Sequence, residues 1–100
     1  MQKLRLCTMD EQGRVFIPEA FRNHMGWSID SKLTVLISEA ERSITLLTKE
    51  DGEVQLDEQG RVQFSEGSRI LLEWHEQDEM EIALDQDKLH VWKFAEEDIA

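Results

Sequence analysis

Positive charge is what this 100-residue chain has least of: 11 Lys and Arg stand against 22 Asp and Glu, a net charge of −11. That shortage opposes nonspecific attraction to nucleic acid or anionic lipid, because neutralisation of phosphate by Lys and Arg supplies most of that affinity. Cysteine is nearly absent too. The lone Cys7 excludes an internal disulfide, and no Cys/His spacing fits a zinc site. No apolar stretch approaches the ~18 residues of a membrane span, and the polar start "MQKLRLCTMDEQ" has no signal-peptide apolar core. Low-complexity sequence is missing. So is a catalytic constellation: carboxylates fall in solvated runs such as "EWHEQDEMEI", and no nucleophile has a positioned base. The expectation is a cytoplasmic, metal-free and cofactor-free protein that is not an enzyme.

What the chain does have is a duplication. "DEQGRV" runs from Asp10 to Val15 and recurs unchanged from Asp57 to Val62. At the same offset of 47 residues Glu19 meets Glu66, Arg22 meets Arg69 and Trp27 meets Trp74. Apolar positions agree in kind: Met9 with Leu56, Ile17 with Phe64, Met25 with Leu72, Leu33 with Met80, Val35 with Ile82, Ile37 with Leu84. This is a tandem repeat. Residues 1–49 form the first copy, 50–95 the second, and 96–100 an acidic tail that reads as a frayed end. Each copy is near the size at which a core of its own is marginal, so the two are expected to share one.

Each copy reads as β-β-α-β-β. In the first, a strand over Arg5–Asp10 leads into the "DEQG" turn, where Gly13 supplies a positive φ, and "RVFI" returns as a second short strand. Pro18 suits the first turn of a helix and Glu19 complements its dipole. Phe21 and Met25 share a face, and Gly26 ends the helix. Leu33, Val35 and Ile37 alternate as a strand, with Ile44 and Leu46 on its partner. In the second copy Val54 and Leu56, then Val62 and Phe64, predict two strands. Ser65 replaces the proline and can cap the helix, Gly67 weakens its first turn, and no glycine ends it. Met80, Ile82 and Leu84 alternate, "DQDK" turns, and Leu89 and Val91 return. "TKEDG", Thr48 to Gly52, is a short connection between the copies.

The copies differ in charge. Residues 1–50 carry seven basic and seven acidic residues; residues 51–100 carry four and fifteen. The whole imbalance lies in the second half.

At "DEQGRVFIPEAFRNHMGWSIDSKLTV" the chain resembles the AbrB/MazE/SpoVT family of swapped-hairpin DNA-binding domains. Asp10, Gly13, Arg14, Val15, Ile17, Pro18, Phe21, Arg22, Gly26, Trp27 and Leu33 fall on that family's pattern in order. The second copy keeps Asp57, Gly60, Arg61, Val62, Phe64, Arg69 and Trp74 but has Ser65 for the proline and Glu73 for the glycine. Two copies with an Asp-x-x-x-Arg signature are similar to the MraZ branch, although the spacing between copies is shorter, which favours a fused AbrB-like tandem. The resemblance implies a mainly-β fold with short helices, a swapped-hairpin β-barrel. It also implies DNA contact by Arg14 and Arg22, with Arg61 and Arg69 as their mates. Basic residues are missing from the strand before the acid, where Cys7 and Thr8, then Val54 and Gln55, stand. Lys3 and Arg5 are the candidates to replace that charge, on the first copy only.

Each candidate has a structural alternative. Arg14 and Arg61 suit phosphate or base contact, or an ion pair with Asp10 or Asp57 that fixes the turn. Arg22 and Arg69 divide the same way, with Glu19 and Glu66 at i, i+3 spacing. Trp27 and Trp74 are expected to pack beneath the helices, not to stack on bases. His24, His75 and His90 read as isolated surface residues, and Cys7 as a small strand hydrophobe. Two functions follow: a regulator that binds double-stranded DNA mainly through first-copy arginines, or an acidic module that has lost DNA binding and takes a basic protein partner. No membrane partner is expected. The copies interlock either within one chain, as a monomeric pseudo-dimer, or by exchange between chains of a homodimer.

Overall fold

Turn chemistry and alternation account for the elements of the computed structural model, which describes residues 3–94. Strand β1 spans Lys3–Thr8, β2 Arg14–Phe16, β3 Leu33–Ser38, β4 Ser43–Thr48, β5 Arg61–Gln63, β6 Glu79–Asp85 and β7 Lys88–Lys93. Helices α1 (Glu19–Met25) and α2 (Glu66–Leu72) are two turns each. Pro18 precedes α1 and Gly26 ends it in the left-handed region at φ 70°. Ser65 caps α2 by accepting the Ser68 backbone N–H. Its end lacks a glycine, and Glu73 itself takes the left-handed conformation at φ 60°. The tail from residue 95 onward lies outside the described residues.

The fold is mainly β, built from two sheets. One has five strands in the order β1-β6-β7-β4-β3; the other is the pair β2-β5. These sheets do not close into a barrel through hydrogen bonds, which departs from the barrel the family resemblance implies. The expected interlocking of the copies is present in the pairings. β2 of the first copy pairs with β5 of the second, with Val15 opposite its own mate Val62. β4 pairs with β7 around Thr45 and His90, with Ile44 opposite Val91 and Leu46 opposite Leu89. A pseudo-twofold axis therefore passes through both crossings. Between them lies one core drawn from both copies: Met9, Val15, Ile17, Phe21 and Leu33 with Val62, Phe64, Leu72, Met80 and Val91. Trp27 and Trp74 belong to it, as expected. The Trp27 Nε1 donates to Thr48 Oγ1 (2.7 Å), and Trp74 packs edge-on to Phe64 with ring centroids 5.6 Å apart.

One expected strand does not form. β1 runs along β6 for six residue pairs, from Lys3 opposite Leu84 to Thr8 opposite Glu79. Its mate around Val54 and Leu56 is reduced to a single bridge, Leu33 with Val54, which is the counterpart of Met80 with Cys7. The short connection is the reason. β4 ends at Thr48, opposite Leu33 at the start of β3. A mate of β1 would have to begin opposite Ile37, four residues further along β3, or ~13 Å at the rise of a strand. The chain instead turns at once, with Lys49 N–H donating to the Lys32 carbonyl and Gly52 N–H to the Lys49 carbonyl. Gly52 lies so close to Leu33 that a Cβ would stand 2.5 Å from its carbonyl oxygen, so the turn needs glycine there.

Candidate nucleic-acid interface

The repeated "DEQGR" is a turn that binds itself. Asp10 Oδ1 accepts the backbone N–H groups of Gln12 (2.9 Å) and Arg14 (2.8 Å), and Oδ2 accepts the Arg14 Nε–H (2.6 Å). Asp57 does the same with Gln59 (2.9 Å), the Arg61 backbone (2.8 Å) and Arg61 Nε (2.7 Å). Gly13 and Gly60, at φ 77° and 81°, close the two turns. Burial alone would push both carboxyls up. The Arg backbone N–H, the Arg side chain and the Gln N–H together outweigh it and hold Asp10 and Asp57 below the ordinary aspartate value. The Asp-x-x-x-Arg spacing is thus an ion pair, as one of the two expected roles had it.

Arg22 and Arg69 cross over to the other copy. A Cβ on Gly60 would stand 2.6 Å from the Arg22 guanidinium carbon, and one on Gly13 would stand 2.5 Å from that of Arg69. Each turn glycine is therefore the seat of the other copy's helical arginine. Arg22 Nε donates to the Ile17 carbonyl (2.8 Å) and Arg69 Nε to the Phe64 carbonyl (3.1 Å). The i, i+3 pairing with Glu19 and Glu66 is not what holds them. Arg22 also lies over the ring of Phe16, 5.4 Å from its centroid.

These contacts join all four arginines into one patch. Arg61 Nη1 approaches Asp10 Oδ2 to 3.9 Å, which links the two turns across the axis. Arg14 and Arg61, each about a quarter exposed, line a common hollow with Ile29 and Leu56. In every case the Nε–H points inward to a structural acceptor. All four arginines are partly exposed, and a planar guanidinium can make paired hydrogen bonds to phosphate or guanine. The turns and helix starts that carry the four guanidiniums also carry six carboxylates in sequence, those of Asp10, Glu11, Glu19 and their mates, so the local field is not attractive to a duplex at long range.

Arg5 has other partners: it lies over Phe21, 5.8 Å from the ring centroid, and donates to the Leu4 carbonyl. Lys3 begins β1, away in sequence from the turns. Phe16, Ile29 and the cross-copy seats at Gly13 and Gly60 are parts of the patch that sequence spacing does not reveal; the identity of "DEQGR" in both copies is the one signal of them. Elsewhere, burial pushes the Cys7 thiol up to about 11 against the Phe16 backbone N–H, as befits a strand hydrophobe. His90 is not isolated: its ring bonds Thr45 Oγ1 on the axis and faces Asp85 Oδ2. No helix among the described residues is long and apolar enough to cross a membrane.

Residues 4–42 match the family described as "MraZ protein, putative antitoxin-like". The match supports the AbrB/MazE-like kinship at the level of the family, and it names the MraZ branch, which the spacing between the copies disfavours. It runs from β1 to the β3–β4 turn and covers only the first copy. No curated protein and no solved structure matches the chain.

Proposed function

We propose that this chain is a DNA-binding transcriptional regulator of the AbrB-like class, acting on duplex DNA through Arg14, Arg22, Arg61 and Arg69. The observation that carries the reading is the patch itself: four partly exposed guanidiniums, two from each copy, fixed through Nε around a pseudo-twofold axis. A twofold patch suits a duplex, whose own backbone has local twofold symmetry. Because each turn is seated on the other copy's helical arginine, the contact belongs to both copies and not mainly to the first. The mixed charge makes affinity depend on short-range pairing, so binding is weak and falls steeply with salt. The strand pairings within the chain support a monomeric pseudo-dimer as the binding unit.

A second reading keeps the patch as pure structure and makes the acidic second half a surface for a basic protein. The fifteen acidic and four basic residues after position 50 favour it. A salt series with pooled genomic DNA fragments separates the two, run on wild type and on Arg14→Gln/Arg61→Gln. Saturable binding that weakens with salt and is lost in the variant, with the fold intact by circular dichroism, supports the regulator. No binding at low salt ends it and leaves the second reading.

A further inference from the structure

The five-stranded sheet is a six-stranded pseudo-symmetric sheet with one strand left out. On one side β1 covers the edge of β6; on the other, the edge of β3 stays open beyond Leu33 among the described residues. Leu33 spends its N–H and carbonyl on Val54 (2.9 and 3.1 Å). Alternate residues of a strand present their backbone groups to the same edge, so those of Val35 and Ile37 face outward without a strand partner. A groove of about 440 Å³ runs beside this edge, between β3 and the start of α2, lined by Val35, Ile37, Val54, Phe64, Ser68 and Arg69 among others. Its mate on the other side is filled by the first part of β1 and by Phe21. Ser68 occupies the position equivalent to Phe21, so the open groove lacks that ring as well as the strand.

We infer that β3 is a strand-addition site, which receives an extended basic segment of another protein antiparallel to Val35–Ser38. The filled edge supplies the template. "KLRLCT" in β1 alternates Lys and Arg with leucines; Arg5 pairs opposite Ile82, the mate of Val35, and Lys3 opposite Leu84, the mate of Ile37. Charge selects the same chemistry. Asp51, Glu53 and Glu66 outnumber Lys49 and Arg69 along the open edge, and the half of the chain that flanks it carries the entire −11. A second copy of this chain would bring the two acidic rims together, which disfavours edge-to-edge self-pairing. The site meets the arginine patch only at Arg69 and does not depend on the DNA reading. Backbone pairing would supply affinity, while the space beside Ser68 would select a bulky side chain opposite Val35.

The test uses the full chain and a labelled peptide, acetyl-KLRLST-amide, with acetyl-ELELST-amide as its acidic control. Fluorescence anisotropy reads binding, and amide hydrogen exchange reads its place. The expected result is saturable binding of the basic peptide alone, with exchange slowed at Val35 and Ile37. Ile37→Pro removes an outward N–H without taking a bond from the β3–β4 ladder, and it should weaken binding ~10-fold or more. Ser68→Phe supplies the ring that Phe21 gives the filled edge, over which Arg5 lies, and should tighten binding, so two variants of opposite effect guard against one that misfolds. Absent binding, equal binding of the acidic control, or binding untouched by both variants would overturn the proposal. So would protection of Val35 and Ile37 in the protein alone with a concentration-dependent doubling of mass, which would assign the edge to a second copy.

Discussion

The two crossings on the pseudo-twofold axis and the two edges of the large sheet show what a duplication preserves and what it releases. At the β2–β5 crossing the copies agree bond by bond: the same three hydrogen bonds to each aspartate, at distances within about a tenth of an ångström. At the edges they part, with six paired residues on one side and a single bridge on the other. The difference is one of constraint. Each turn seats an arginine from the other copy, so a change in either disturbs both. Each edge strand answers only to its own connection, and that of the second is tethered to Thr48, opposite Leu33.

The sharpest way to break the comparison is to make the first edge resemble the second. Phe21 is fully buried under β1, and Phe21→Ser should cost about 3–5 kcal/mol, the range for emptying a buried phenylalanine site. The reciprocal Ser68→Phe should change stability by less than about 1 kcal/mol, because its ring enters an existing groove instead of a packed core. Urea denaturation of both variants measures this. Similar small effects from the two would show that the first edge is no better packed than the second.

A smaller effect should expose how alike the two turns are. Asp10 and Asp57 both have depressed folded-state values, so their stabilising contribution is complete above the unfolded aspartate value of about 3.9 and is lost as pH falls through the lower folded value. At pH 7, Asp10→Asn and Asp57→Asn should each cost about 1–2 kcal/mol, as for hydrogen bonds to a partly exposed charged group. Asp10→Asn should cost slightly more, since Asp10 also faces Arg61. The gap between wild type and the double variant in urea should then narrow as the pH is taken below about 3.9. A gap that stays constant down to pH 2 would remove the carboxylates from the account of the turn.

Much of this was open to reading from residues. Pro18, Phe21, Met25 and Gly26 mark α1, and the six-letter identity marks the turns that meet at the axis. Three features lay beyond spacing. Val54 and Leu56 have the alternation of a strand, yet the reach of a five-residue connection decides that no strand forms, and that reach depends on where β4 ends relative to β3. Arg22 and Arg69 have carboxylates at helical spacing, yet their seats are glycines 38 and 56 positions away in sequence, which only interlocking brings near. Glu73 has the composition of a helix interior but ends α2, because the chain must turn there whatever residue stands at the site.

That last position yields the finest test of the comparison. Gly26 and Glu73 occupy the same left-handed cap at φ 70° and 60°, but only glycine does so without strain from a Cβ. Relief of that strain in Glu73→Gly is worth about 1 kcal/mol. Against it stands the exposed ion pair of Glu73 with Arg42, worth about 0–1 kcal/mol. The net change should therefore be a gain of up to about 1 kcal/mol, or a rise in Tm of a few degrees for a domain of this size. Arg42→Ala, which breaks the ion pair and leaves the strain, should lower Tm or leave it unchanged. If Glu73→Gly lowers Tm by more than Arg42→Ala does, the glutamate contributes beyond its ion pair, and the second cap is a solution in its own right instead of a strained copy of the first.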